Sequence, residues 1–487
     1  MKPRSLLRNT SYVLLAQLLV RTVNFVQLPL LVRHLGKAEY GVYSLTLAFP
    51  AMFLVLSDMG INSIMLRKVA RDRGSCAAVL PTVLFLKVVL TAVFITVLSV
   101  TVALSNYGSF VKALLIVSAL GSAASIYIEL VIAAARGAEN FALEAYVSAG
   151  RAVSFLLVVI AVVAMNGGLM AVVGGWVVTS LLASLFCLGW CKRHYGLRVQ
   201  WVSAKEAYRM LRESWPFALH NMISPLFGTI DVLMLSLLST YESVGTYNAA
   251  YRLVIFLHVV PEALNRVLFA RLSRLFTTTP GDFTAQINRA LLHMLILGLP
   301  ASVGLMIVSD KVVVTLFSSE YANSGMILRI LAAPLAFYFV RVIFSAALYA
   351  SNRERLALTC FGCATALNAL LDLVLIPRYD YMGSAYASLC AEVMLCTAYW
   401  VAVKRFCRVS LDGAGVRLMC AVGLLAGTAM FLMGRPLVVQ VTISAVVYGL
   451  GVYFFKVLNP EEVCRISGFV RKLWARGRVI FATRTRS

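Results

Sequence analysis

The chain has 487 residues, 61% hydrophobic and 13% charged, with 44 basic against 21 acidic side chains and a formal charge of +23. A soluble globular protein is about 45–50% apolar and about 25% charged, so a string of soluble domains is excluded, and with it a basic domain for nucleic acid. The apolar residues lie instead in runs of about 20, enough to cross a hydrocarbon core of about 30 Å.

In chain order, the first run, Tyr12 to Leu31, is too long for the core of a cleaved signal and carries Arg21 and Asn24, so it is expected to remain as a membrane helix. The predicted spans are 9–31, 41–65, 77–104, 110–134, 146–165, 169–191, 215–238 and 245–269, then 288–309, 326–350, 357–377, 381–403, 418–433 and 437–455. Turn residues separate neighbours, as at Asn166-Gly167-Gly168 and Gly434-Arg435-Pro436. The expected fold class is an all-α polytopic membrane protein with about 14 transmembrane helices.

Placing both termini in the cytosol puts 30 Lys and Arg in cytosolic segments, 5 in external loops and 9 within spans. Because Lys and Arg are retained on the cytoplasmic side, this bias predicts the orientation of a bacterial cytoplasmic (inner) membrane protein. Ser203-Ala204-Lys205-Glu206 reads as a capping box opening a short cytosolic helix through Arg212. Asn459-Pro460-Glu461-Glu462 opens another, and the basic stretch behind it suits either an interfacial helix on an anionic leaflet or a frayed tail.

Gly41-Val42-Tyr43 recurs as Gly245-Thr246-Tyr247 at an offset of 204. Ala135, Glu139, Ala142 and Leu143 recur as Ala350, Glu354, Ala357 and Leu358 at an offset of 215, which Gly168 and Gly383 also keep. An even-numbered repeat leaves both copies pointing the same way, with a cavity between them, as in a transporter. The expected organisation is two pseudo-symmetric six-helix lobes plus two extra helices. Residues 1–191 form the N-lobe, 192–214 a cytosolic amphipathic linker and 215–403 the C-lobe. Residues 404–456 add two spans, and 457–487 are a basic cytosolic tail.

An ionisable side chain at mid-membrane costs about 2.5–3.5 kcal/mol on insertion scales, so it faces a wet cavity or a partner. Arg21, Lys87, Arg252 and Arg341 lie deepest, and a cationic cavity implies an anionic, phosphate-bearing substrate. Asp58, Asp231 and Glu262 are the acidic counterparts, either neutralising those bases or binding a coupling ion such as Na+ or H+. Arg151 and Lys112 fall near span ends and are expected to snorkel. Asn368 and Asp372 are expected to bond between helices, and His258 to pack. The ten cysteines include a Cys360/Cys363 pair at CxxC spacing, but it sits in an apolar run without further ligands, so packing is expected rather than metal or redox chemistry.

The stretch Leu35-Gly36-Lys37-Ala38-Glu39-Tyr40-Gly41-Val42-Tyr43-Ser44-Leu45 resembles the start of polysaccharide (O-antigen, Wzx-type) flippases, as do Ser214-Trp215-Pro216-Phe217 and Val244 through Arg252. Leu316-Phe317 through Tyr321, and Asn368 through Ile376-Pro377 to Gly383, extend the similarity, which runs from about residue 9 to 403. The resemblance implies membership of the multidrug/oligosaccharidyl-lipid/polysaccharide exporter superfamily. It further implies translocation of undecaprenyl-pyrophosphate-linked oligosaccharide from inner to outer leaflet by alternating access, driven by an ion gradient or membrane potential. By resemblance, Arg21 and Asn24 correspond to the family's first-helix polar cluster, and Asp231 and Arg252 to its span-seven acid and span-eight base. Asp380 departs from the pattern, standing where the family often has glycine. Substrate binding is therefore expected at Arg21, Asn24, Lys87, Arg252 and Arg341.

The expected partners are the lipid-linked oligosaccharide, the bilayer and other polysaccharide-assembly membrane proteins. A drug or cation antiporter of the same superfamily would need an acidic or aromatic cavity. A lipid II flippase would carry an arginine-rich first helix that is not evident here. An enzyme is not expected, nor a cofactor beyond a coupling ion, because DxD, GxxxxGK[ST] and HExxH are all missing from the sequence.

Overall fold

A computed structural model describes residues 3–72, 75–195, 203–411 and 413–458. Every regular element among them is helical. The order is α1 (Pro3–Asp58), α2 (Ile61–Arg71), α3 (Ser75–Leu104), α4 (Ser109–Gly137), α5 (Phe141–Ala164), α6 (Leu169–Tyr195), α7 (Ala204–Leu238) and α8 (Tyr241–Leu257). There follow α9 (Val259–Thr278), α10 (Pro280–Phe317), a 3-10 turn (Ser319–Tyr321), α11 (Asn323–Ala350), α12 (Glu354–Tyr379), α13 (Tyr381–Lys404), α14 (Ala414–Phe431) and α15 (Leu437–Phe454). The tail helix expected from Asn459 lies outside the described residues.

Twelve helical stretches are long and apolar enough to cross a bilayer. The first, Leu15–Asp58, has 44 residues. At about 1.5 Å per residue it is twice the length a membrane needs, and it holds the first two expected spans on either side of a break at Gly36. There φ is 68° and ψ 178°, a conformation glycine adopts without cost. The apolar part of α7, Leu226–Leu238, is shorter. Counting α1 as two and adding α7 recovers the fourteen expected spans.

Several boundaries differ from the sequence reading. The second span ends at Asp58, because Met59 and Gly60 turn the chain through positive φ of 42° and 77°. The remainder becomes α2, an amphipathic helix that buries Ile61, Ile64, Met65 and Val69 and leaves Leu66 and Arg67 exposed. That apolar face joins a core with Leu80, Val83, Leu130, Val131, Cys187 and Cys191. The Ser203 cap forms as expected, its hydroxyl accepting the Glu206 N–H at 3.3 Å. The helix it opens does not stop at Arg212 but continues to Leu238. The eighth expected span is α8 and α9, parted at His258, and the ninth extends through Phe317 in place of a long loop.

The chain divides into two compact units. The first comprises Met1–Phe256, Val313–Ile327 and Leu358–Met394; the second comprises Leu257–Val312, Leu328–Ala357 and Leu395–Ser487. In the second, Leu418, Val422 and Val457 pack with Leu292, Leu295 and Tyr448, and the Tyr448 hydroxyl donates to Ile296 O at 2.6 Å. The outer faces of α6 and α15 expose Leu182, Leu185, Phe186, Val438 and Val446, as a lipid-facing surface requires.

Within the first unit the repeat-related glycines meet. A Cβ on Gly41 would lie 1.8 Å from the Tyr241 carbonyl oxygen, and one on Gly245 would lie 2.0 Å from the Lys37 carbonyl oxygen. Lys37 and Tyr241 share the 204-residue offset of the glycines, so the contact is reciprocal. Ser44 and Asn248 keep the same offset, and Asn248 Nδ2 donates to Ser44 Oγ at 2.5 Å. The α1/α8 crossing is therefore two-fold-like, and its closeness depends on absent side chains.

Around this crossing the loops at the Gly36 end are tied together. Arg33 donates to Leu316 O at 2.8 Å and Thr315 O at 2.6 Å. The His34 ring nitrogen bonds Gly167 O at 2.7 Å, and Lys37 pairs with Glu242 at 3.1 Å. Asp380, at φ 54°, accepts from Ser239 and Ser243, joining the α12–α13 turn to the start of α8. The position where the resemblance leads one to expect glycine is thus filled by a left-handed aspartate that ties two turns together.

Candidate functional site

Below the tied end, the first unit contains a cavity of about 430 Å³, within the usual range of about 300–1,000 Å³ for ligand pockets. The first arm of α1 supplies Arg21, Asn24 and Leu28, one helical stripe, and its second arm supplies Tyr40, Tyr43 and Leu47. From α5 come Ser148, Arg151, Ala152 and Phe155 at i, i+3, i+4 and i+7 spacing; α6 adds Trp176 and α8 adds Arg252, Ile255 and Phe256.

Among the described lining residues there is no Asp or Glu, while three are arginines. In a site walled by apolar and aromatic side chains, guanidinium groups bind phosphate or carboxylate oxygens bidentately. Arg151 Nη1 donates to Ser125 Oγ at 3.3 Å, which directs it from α5 toward α4. Phe25 and Phe256 close one wall with ring centroids 4.5 Å apart. The cavity can accommodate an anionic head group with an apolar or carbohydrate neighbour.

The structure places the sequence-predicted residues in three settings. Arg21, Asn24 and Arg252 meet in the cavity, and Arg151 joins them although its position near a span end pointed to snorkelling. Lys87 does not line this cavity. It is fully buried, with Nζ 2.7 Å from Asp58 Oδ1 and 3.2 Å from Ser57 O. Asp58 also accepts from the Asn62 N–H at 3.4 Å, so the pair ties α3 to the turn before α2. Arg341 and Glu262 lie in the second unit. There the Tyr338 hydroxyl donates to Glu262 Oε1 at 3.4 Å, the Arg341 guanidinium lies 4.8 Å from the Tyr338 ring, and His258 stacks on that ring at 3.7 Å. The side chains of His220, Asn221, Ser224 and Arg266 fall outside the described set.

Asp231 occupies a sealed acidic pocket built by α7, α8, α12 and α13. Its Oδ1 accepts from Asn368 Nδ2 at 2.6 Å, and its Oδ2 accepts from Ser388 Oγ at 2.6 Å and from the Tyr247 hydroxyl. The fully buried Asp372 carboxyl neighbours it, with the Ser384 side chain close by, and among the described residues neither Asp372 oxygen, nor Asn368 Oδ1, has a well-formed hydrogen bond. Asp372 was legible only as half of an i,i+4 pair with Asn368, because its approach to Asp231 depends on how α12 meets α7. Two adjacent buried carboxylates require a proton or cation between them. The described residues hold no group of three or more His, Cys, Asp or Glu arranged for a metal ion. An all-oxygen set of carboxyls, amide and hydroxyls suits a hard ion or a proton.

The family described as polysaccharide biosynthesis protein matches residues 6–276, more than half of the 487. A Haloferax volcanii protein named as a "probable low-salt glycan biosynthesis flippase" is 21% identical over 391 residues, covering 79% of this chain and 80% of that one. Among solved structures, the lipid II flippase MurJ in its inward closed conformation superposes with a TM-score of 0.76 at 16% identity, covering 91% of this chain and 98% of that one. An inward-facing multidrug resistance MATE family transporter of the MOP superfamily gives 0.65 at 13% identity, covering 79% of this chain and 95% of that one. The fold is the one these membrane transporters share.

Proposed function

The chain belongs to the polysaccharide biosynthesis protein family, and we propose that it is a flippase carrying undecaprenyl-pyrophosphate-linked oligosaccharide from the inner to the outer leaflet. The observation that carries the reading is the cavity itself, with Arg21, Arg151 and Arg252 in its wall and no acidic residue among the described lining. A pyrophosphate entering it exchanges water for guanidinium donors in a low-dielectric setting, where charge-assisted bonds are strongest. Asn24, Gln27 and Ser148 add neutral groups that can bond sugar hydroxyls. Although the walls are rich in aromatic rings, three arginines with no acidic residue among the described lining disfavour a cationic drug as cargo by like-charge repulsion.

Movement follows by alternating access, with both termini cytosolic in a bacterial inner membrane. The two faces of the protein open in turn about the bound head group while the lipid tail stays in the bilayer. The Asp231–Asp372 pocket is the seat of energy coupling in this reading: a proton or Na+ neutralises the pair, and its release down a gradient biases the cycle. Lys87 with Asp58 acts as an internal staple, and Arg341 with Glu262 as a second polar cluster.

Proteoliposomes holding the purified protein and a fluorescent undecaprenyl-pyrophosphate-linked oligosaccharide test the reading. Label exposed on the opposite leaflet should rise with time above protein-free vesicles, and faster under an imposed ion gradient. Identical exposure with and without protein would remove the flippase assignment.

A further inference from the structure

We infer that Trp176 is the platform on which the first sugar ring of the lipid-linked glycan stacks, with Gly121 as the residue that positions the indole. The inference rests on the flippase reading and adds where the carbohydrate lies. Trp176 is half-buried and lines the arginine cavity. A Cβ on Gly121 of α4 would lie 2.5 Å from its ring, and a Cβ on Gly175 would lie 2.3 Å from Val158 Cγ1 of α5. Both distances are below contact, so α6 reaches its neighbours only because these two positions lack side chains. The indole is thereby laid against α4 at Gly121 and fixed in position beside the cavity it lines. Among the described residues the indole N–H has no acceptor, leaving a donor for a sugar hydroxyl.

The helix registers place this platform on one side of the cations. The starts of α6 and α8 and the break in α1 gather at one end, held by the His34–Gly167 and Lys37–Glu242 contacts. At about 1.5 Å per residue, Trp176 is about 10 Å from the start of α6, Arg252 about 16 Å from the start of α8, and Arg21 about 22 Å from Gly36. A pyrophosphate at Arg21 and Arg252 therefore has the indole above it, toward the tied end. A pyranose ring presents an apolar face of C–H groups with positive edges, which complements the negative face of the indole. Such stacking tolerates different sugars, so the platform recognises a ring and not one monosaccharide.

The test uses the full-length protein in nanodiscs and two probes: undecaprenyl pyrophosphate, and undecaprenyl pyrophosphate carrying one N-acetylhexosamine. Trp176→Ala should weaken binding of the sugar-bearing probe by about tenfold and of the sugar-free probe by less than about twofold. Trp176→Phe should retain part of the difference. Gly121→Ala, which keeps the indole but displaces it, should also narrow the gap between probes, a result that mere loss of stability would not give. Equal loss for both probes, or for neither, overturns the platform. Wild-type protein binding both probes equally overturns it too while leaving the flippase reading intact, and wild-type protein binding neither removes both.

Discussion

The arginine cavity and the Asp231 pocket are opposites in sign and in access. One gathers three arginines from α1, α5 and α8 around space that a head group can fill. The other gathers two carboxyls from α7 and α12 where the Asp372 side chain is 0% exposed. The first has room for a head group, whereas the second is filled by its own side chains. The difference teaches that charge within the helices of this protein comes in two settings: in the proposed reading the open charges meet cargo, while the sealed charges balance each other. Lys87 and Asp58 belong with the sealed kind.

The largest expected effect separates a sealed charge from an open one. Lys87→Met strands Asp58 without its buried partner and should cost about 3–5 kcal/mol, read as a fall in the melting temperature of detergent-solubilised protein. The double change Lys87→Met with Asp58→Leu should recover most of it. An unchanged melting temperature in the single variant would move Lys87 to the open class.

Asp231→Asn keeps the shape of the acidic pocket but removes a charge. It should leave the fold intact and abolish the acceleration of transport by an imposed ion gradient in proteoliposomes. Acceleration equal to wild type would show that coupling lies elsewhere, with the Glu262–Tyr338–Arg341 cluster the next place to look. In the open cavity, Arg151→Ala should leave the melting temperature unchanged and weaken undecaprenyl pyrophosphate binding by about 1.5–3 kcal/mol, measured by native mass spectrometry. The smallest effect is expected at Asp380→Gly. It loses two serine hydrogen bonds to a carboxylate, worth about 1.5–3 kcal/mol each when fully dry and less at this half-buried turn. It regains about 1–2 kcal/mol by relieving a left-handed non-glycine residue, so the melting temperature should fall slightly.

The spans were legible because membrane helices are written as long apolar runs, and Arg21 and Arg252 because a lone arginine in such a run is costly. The helix ends were less so. The turn at Met59-Gly60 lies inside a run that hydropathy alone cannot divide, and the break at Gly36 occupies one residue where a loop was expected. Tertiary partners were hidden altogether. Lys87 and Asp58 are 29 residues apart and on different helices, so neither spacing nor periodicity could pair them. Arg151 was masked by its place near a span end, and only the α5 stripe through Ser148 and Phe155 could have hinted at its orientation. The internal repeat marked Gly41 and Gly245 as equivalent positions, but nothing in the sequence said that the two backbones meet there.

The central claim, that the cavity takes the anionic head of a lipid-linked glycan through guanidinium charge, is tested most directly at Arg252. Surface glycan output would be compared in cells carrying wild-type protein, Arg252→Lys or Arg252→Ala at matched membrane levels. The account predicts partial output with lysine, which keeps the charge but not the bidentate geometry, and little or none with alanine. Near-normal output from both variants would contradict it.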